Sequence, residues 1–126
     1  MSLSAIGIVA RDIPKSLAFY TRLGLQFKQF QLAEHFDAIM ESGVSLMLDS
    51  ESSIKEMYPD WIRPTGSSGV VLCFKQSSPK EVDELFHRLT NSGAQVMKAP
   101  WDAFWGQRYA SVFDPDGNQI DLFASL

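Results

Sequence analysis

The side chains best suited to chemistry crowd into residues 101–123. Trp101, Phe104, Trp105 and Tyr109 fall within nine positions, Arg108 stands among them, and Asp121 and Phe123 follow in the apolar run "NQIDLF". Aromatic faces stack on flat ligands and on cations, at about 0.5–2 kcal/mol per contact. Four of them beside an arginine suit a planar, partly charged small molecule, and binding pockets are mostly apolar with a few fixed polar groups. The same aromatics serve equally well to fill a core. Gly106 allows a tight turn or a close approach of the backbone to a ligand. Arg108 has two uses: to hold an anionic or carbonyl group of a ligand, or to pair with Asp114, Asp116 or Asp121. Asp121 also has two: to meet a cationic group of a ligand, or to end its strand as a hydrogen-bonded carboxylate near Arg108. Two residues apart on a strand, Asp121 and Phe123 share a face.

Other reactive side chains are few. His35 lies in the alternating segment "HFDAIMES" and is the one candidate for a general base in a cleft. Cys73, in "VVLCF", reads as an inert core thiol, because apolar neighbours raise the cost of a thiolate. His87 falls on the polar side of a helix and reads as a surface residue. Trp61 stands in the polar stretch "YPDWIRPTG", where a core role is hard to justify; it suits a lid over a cleft or a dimer contact. The glycines are scattered and form no phosphate-binding loop.

These residues need a framework. The chain has 126 residues, 45% hydrophobic and 21% charged, which fits one globular domain with a real core. Net charge is −4, which argues against nucleic acid as a partner. A single cysteine allows no internal disulfide and fits a reducing cytoplasm. The start "MSLSAIGIVARD" reaches charge too early for a targeting core, and no apolar run is long enough to span a bilayer. A soluble, cytoplasmic protein is expected.

The order of elements repeats. "SAIGIVA" reads as a buried strand, and a helix follows over about 14–23, with Asp12 as cap, Pro14 in the first turn and an inner stripe of Ile13, Leu17, Tyr20 and Leu23. "LQFKQFQL", "HFDAIMES" and "GVSLMLDS" read as three strands. Residues 50–67 are dense in Pro, Gly and Ser and form a connector with at most a short helix. "GVVLCFK" then reads as a strand. A capping box of Ser78 and Glu81 opens a second helix, whose stripe is Val82, Leu85, Phe86 and Leu89. "AQVMKAP", "RYASVFD" and "NQIDLFA" complete the set. The "DPDGN" turn before the last strand sets register: Pro115 fixes φ and Gly117 supplies a positive one. The expected fold is α+β: tandem βαβββ modules at about 1–50 and 68–126, forming a curved, partly closed mixed sheet. In this repeat Phe36 matches Tyr109 and Met47 matches Asp121, so one half offers an apolar wall and the other a polar one.

The opening "AIGIVARDIPKSLAFYTRLGL" and the closing "FWGQRYASVFDPDGNQIDLF" resemble the vicinal oxygen chelate superfamily. The Trp-Gly-x-Arg followed by Asp-Pro-x-Gly-Asn is similar to its glyoxalase and bleomycin resistance branch, and the likeness covers nearly the whole chain. Enzymes of that superfamily hold a divalent metal with His or Glu from four strands. The matching positions here are Ala5, Met47, Val70 or Val71, and Asp121. Only Asp121 retains a carboxylate, where the family usually has Glu, and one carboxylate does not hold a divalent ion at useful affinity. The resemblance therefore implies a metal-free protein that sequesters a planar or cationic compound, as antibiotic-binding members do, working as a homodimer. The other reading is an enzyme of the same superfamily (lyase, isomerase, dioxygenase or thiol transferase). It would use a divalent metal on ligands not yet identified, or His35 with Asp121 as acid and base. The expected ligand-binding set is Phe36, Met47, Trp61, Trp101, Phe104, Trp105, Arg108, Tyr109, Asp121 and Phe123.

Overall fold

A computed structural model describes residues 1–30 and 34–126. The end of the expected strand "LQFKQFQL" lies outside the described residues. The chain divides into two compact units, Met1–Arg63 and Pro64–Leu126. Each holds a four-stranded mixed sheet, so the α+β class and the tandem βαβββ plan are both present.

In the first unit, β1 (Ala5–Ala10), β2 (Lys28–Gln29), β3 (His35–Ile39) and β4 (Ser45–Ser50) form a sheet in the order β1-β4-β3-β2. Helix α1 (Ile13–Leu23) starts where the Asp12 side chain accepts a hydrogen bond from the Lys15 amide at 3.0 Å. Of the expected stripe, Tyr20 and Leu23 are buried, together with Ser16 and Phe19, while Ile13 and Leu17 are only half-buried. A small serine under the helix lets two adjacent rings, Phe19 and Tyr20, pack edge to face at 5.0 Å. Ile8, Ala10, Ala38, Leu46 and Leu48 complete this core. The connector carries a short helix, α2 (Glu51–Met57).

In the second unit, β5 (Val71–Lys75), β6 (Val96–Ala103), β7 (Gln107–Phe113) and β8 (Gln119–Ser125) take the order β5-β8-β7-β6. Helix α3 (Pro79–Asn91) is capped by Ser78, whose hydroxyl accepts from the Glu81 amide at 3.2 Å. The return arm of the box, Glu81, takes the Ser77 amide at 2.9 Å. All four stripe residues, Val82, Leu85, Phe86 and Leu89, are buried. They cover one face of the sheet, where Ala110, Val112, Ile120, Leu122 and Ala124 are buried in turn. Residues of opposite parity face the other way. That second face, away from α3, is called the open face below.

The expected turn at 114–118 forms and is held by its own first residue. Asp114 accepts the amides of Asp116 and Asn118 at 2.9 and 2.8 Å and the Asn118 side chain at 2.8 Å. Gly117 has φ +84°. This fixes the register in which Ser111 stands opposite Asp121 and Tyr109 opposite Phe123.

Candidate functional site

The open face of the second sheet gathers most of the expected residues in two rows. Strand pairing places Lys75, Phe123, Tyr109 and Trp101 side by side in one row and Cys73, Asp121, Ser111 and Lys98 in the next. The first row is aromatic. Tyr109 and Phe123 stack with ring centroids 6.1 Å apart, and Trp105 meets both Trp101 and Tyr109 edge-on at 5.4 Å. Trp105 is carried by the β6–β7 turn, which closes where Gly106, at φ +91°, donates to the Ala103 carbonyl at 3.0 Å. Its indole N–H donates to Gln107 Oε1 at 2.8 Å. Trp105 is 48% exposed and Phe104, which touches it, 94%. Trp101, Tyr109 and Phe123 are half-buried. None of these rings is fully buried.

Asp121 sits between the taller side chains, buried, with its carboxylate enclosed. Tyr109 Oη donates to Oδ2 at 2.8 Å; Ser111 Oγ and Gln119 Nε2 donate to Oδ1 at 2.7 and 3.0 Å. Burial, the bond to Asp121 and contact with Cys73, in that order, raise the Tyr109 phenol well above its ordinary range. Its proton stays on Tyr109, so the phenol serves as a donor. Ser111 and Gln119 were not expected from sequence. Their signal was parity: each lies two residues along a strand from a named site residue.

Cys73 differs from expectation. It is exposed on the open face, 3.9 Å from Tyr109 Oη, while Leu72 and Phe74 turn inward. Apolar neighbours suggest a core thiol, but strand alternation puts Cys73 on the same side as exposed Val71 and Lys75.

Arg108 differs too. Its parity sends it to the α3 face, where Nε and Nη2 reach the two carboxylate oxygens of Asp83 at 2.9 and 3.1 Å and Nη1 reaches Asp102 at 3.1 Å. It clamps α3 to the sheet and pairs with none of Asp114, Asp116 or Asp121.

In the first unit, β3 and β4 place Met47 and His35 on the face away from α1. Phe36 lies on the helix side with Ala38, so its match to Tyr109 fails. The residue in the place of Tyr109 is His35, which stands opposite Asp49 as Tyr109 stands opposite Phe123. Met47 does match Asp121. Trp61 lies in the connector, with the Arg63 guanidinium 5.4 Å from its ring centroid. Arg63 is itself anchored to Glu51 and to the Val9 carbonyl. A depression of about 570 Å³ near the start of α1 and α2 contains none of the candidate residues.

Both ring nitrogens of His35 face carboxylates: Nδ1 lies 2.6 Å from Asp49 and Nε2 3.0 Å from Asp37. Only the doubly protonated ring donates to both. Burial is the largest single influence and opposes that charge, but the two carboxylates together outweigh it and raise the pKa above 6.5. A ring held this way has no free lone pair with which to act as a base. The raised value has a consequence for stability. The contribution is fully present below the unfolded-state value and is lost as pH rises through the folded one. Urea midpoints should therefore decline as pH rises above about 6.5, by no more than one proton's worth of slope, and His35→Asn should flatten the profile. A flat profile in the unaltered protein would contradict the paired geometry.

The four metal positions of the resembled enzymes offer no donor set. Ala5 stands opposite Ser45, Met47 opposite Gly7, and Val71, the valine on the open face, opposite Gln119. Asp121 already accepts three internal hydrogen bonds. No group of three or more His, Cys, Asp or Glu among the described residues is arranged to hold an ion. These residues do not fit a divalent metal.

No helix among the described residues is long and apolar enough to cross a membrane. Structural likeness is extensive. A glyoxalase/bleomycin resistance protein/dioxygenase family enzyme from Burkholderia phytofirmans PsJN superposes with TM-score 0.86 at 22% identity, covering 100% of both chains. A glyoxalase/bleomycin resistance protein/dioxygenase from Nocardioides gives TM-score 0.77 at 27% identity, over 100% of this chain and 84% of that one. An uncharacterised protein of Mycobacterium bovis is 45% identical over 42 residues, which span 33% of this chain and only 28% of that relative's length. Over residues 2–122 the sequence matches the profile of the Glyoxalase/Bleomycin resistance protein/Dioxygenase superfamily, and the chain belongs to it.

Proposed function

We propose that the protein binds a planar small molecule on the aromatic row of the second unit and sequesters it without making or breaking a bond. The observation that carries this reading is the state of Asp121. Where a metal-dependent relative needs a free ligating carboxylate, this one is buried and taken up by Tyr109, Ser111 and Gln119. Beside it stands a half-exposed run of rings with no catalytic pair among them. Acid–base work by His35 with Asp121 finds no support, since both groups are fully engaged by neighbours. On this reading the role is the antibiotic-binding type of the family, performed in the cytoplasm by a homodimer, the commonest assembly for a small chain.

The test is a thermal-shift screen of planar aromatic compounds, DNA-damaging antibiotics included, followed by mass spectrometry and chiral chromatography of each stabilising compound after long incubation. The expected result is a stabilising ligand recovered with unchanged mass and stereochemistry. Conversion of that ligand by purified protein would overturn the reading.

A further inference from the structure

The open face of the second sheet has a sign. Its negative group, Asp121, is only 6% exposed, and three donors already answer its charge. Its positive groups, Lys75 and Lys98, are exposed and stand at opposite edges of the face. Neither forms an ion pair within the described residues.

Lys98 is placed by an irregularity. Residues three apart on a regular strand point to opposite faces. The pairing of β6 with β7 shifts between Lys98 and Trp101, around Pro100, and both side chains come to the open face. Lys98 Nζ then stands 3.7 Å from the centroid of the Trp101 ring. That is a cation–π contact within the protein, occupying a ring face that a cationic ligand would otherwise take. A cation approaching the row would meet a like charge over Trp101 and a carboxylate that has already been satisfied.

Resting on the reading of this face as the ligand seat, we infer that it selects a planar aromatic anion, such as a ring carboxylate, and disfavours cations. The near-parallel rings of Tyr109 and Phe123 receive the ligand's flat surface, Trp105 meets its edge, and Lys98 receives its carboxylate. This replaces the cationic alternative suggested by the sequence. An exposed ammonium group over an aromatic ring remains able to pair with an oxyanion, and does so with a strength that salt reduces.

The test uses one ring system with three charges: 2-naphthoate, 2-naphthamide and 2-naphthylmethylammonium, titrated calorimetrically into the full chain at neutral pH. Naphthoate should bind at least about tenfold more tightly than the ammonium compound, with an affinity that falls as salt rises. Lys98→Gln should bring naphthoate down to the level of the amide while leaving the amide within about twofold, and Lys98→Arg should keep the preference for the anion. An ammonium compound bound as tightly as naphthoate, or a preference that survives in Lys98→Gln, would overturn the inference and leave the aromatic seat standing. Failure of all three probes to bind would overturn the seat as well.

Discussion

Asp121→Ala should lower the unfolding free energy by about 2–4 kcal/mol, read as a shift of the urea midpoint at constant m-value. The size follows from what is left behind. Hydrogen bonds to a charged group contribute about 1.5–3 kcal/mol, and a buried donor without a partner adds a desolvation penalty. Ser111 is itself 6% exposed, so its hydroxyl would be stranded. Tyr109 and Gln119 are half-buried and are able to turn to water, which caps the loss. Asp121→Asn should cost less, about 1 kcal/mol, because the amide oxygen still accepts from Ser111 and Gln119 and the Tyr109 hydroxyl can reverse to accept. An alanine variant as stable as the parent would mean that the carboxylate is free rather than enclosed, and the case against a ligating role would lapse.

How the residues came to their places explains what was legible from sequence. Helix α3 was readable down to its cap and stripe, because its signals are local: Ser78, Pro79 and Glu81 at the start, and an apolar face at a period of 3.6 residues. The turn at Asp114–Asn118 was equally local. The face assignments depended on register, and a one-residue slip moves a side chain across a sheet. That slip put Phe36 where His35 belongs, and so hid the His35–Asp49 pair. Arg108 finds Asp83 on α3, 25 residues away, a partner that no spacing along the strand would suggest. Lys98 reaches the open face only because β6 is irregular, and no alternation pattern encodes that. Asp121 was found as a carboxylate, but its three donors came from pairing of β7 with β8 and from parity along both.

The second large effect concerns the rings. Trp105→Ala should weaken binding of a planar ligand at least about tenfold while lowering stability by about 1–3 kcal/mol without unfolding the protein. Three rings, Trp101, Phe104 and Tyr109, meet Trp105 edge-on at 5.1–5.4 Å, and its removal takes away the ring that touches both Trp101 and Tyr109. Its own exposure and its place on a turn limit the structural cost. Trp105→Phe should retain part of the affinity, since a smaller aromatic ring still stands beside Tyr109. Far-ultraviolet circular dichroism and fluorescence titration separate the two outcomes. If Trp105→Ala unfolds the protein, the residue is core and the wall has been misplaced.

Affinity for one planar ligand, measured by calorimetry on protein stripped with chelator and again after adding Mn²⁺, Ni²⁺ or Zn²⁺, bears most directly on the account. Binding without catalysis by a chain whose ligating positions are Ala5, Met47, Val71 and Asp121 predicts the same dissociation constant, within about twofold, in every sample. Binding that appears only when a metal has been taken up at one ion per site would contradict it.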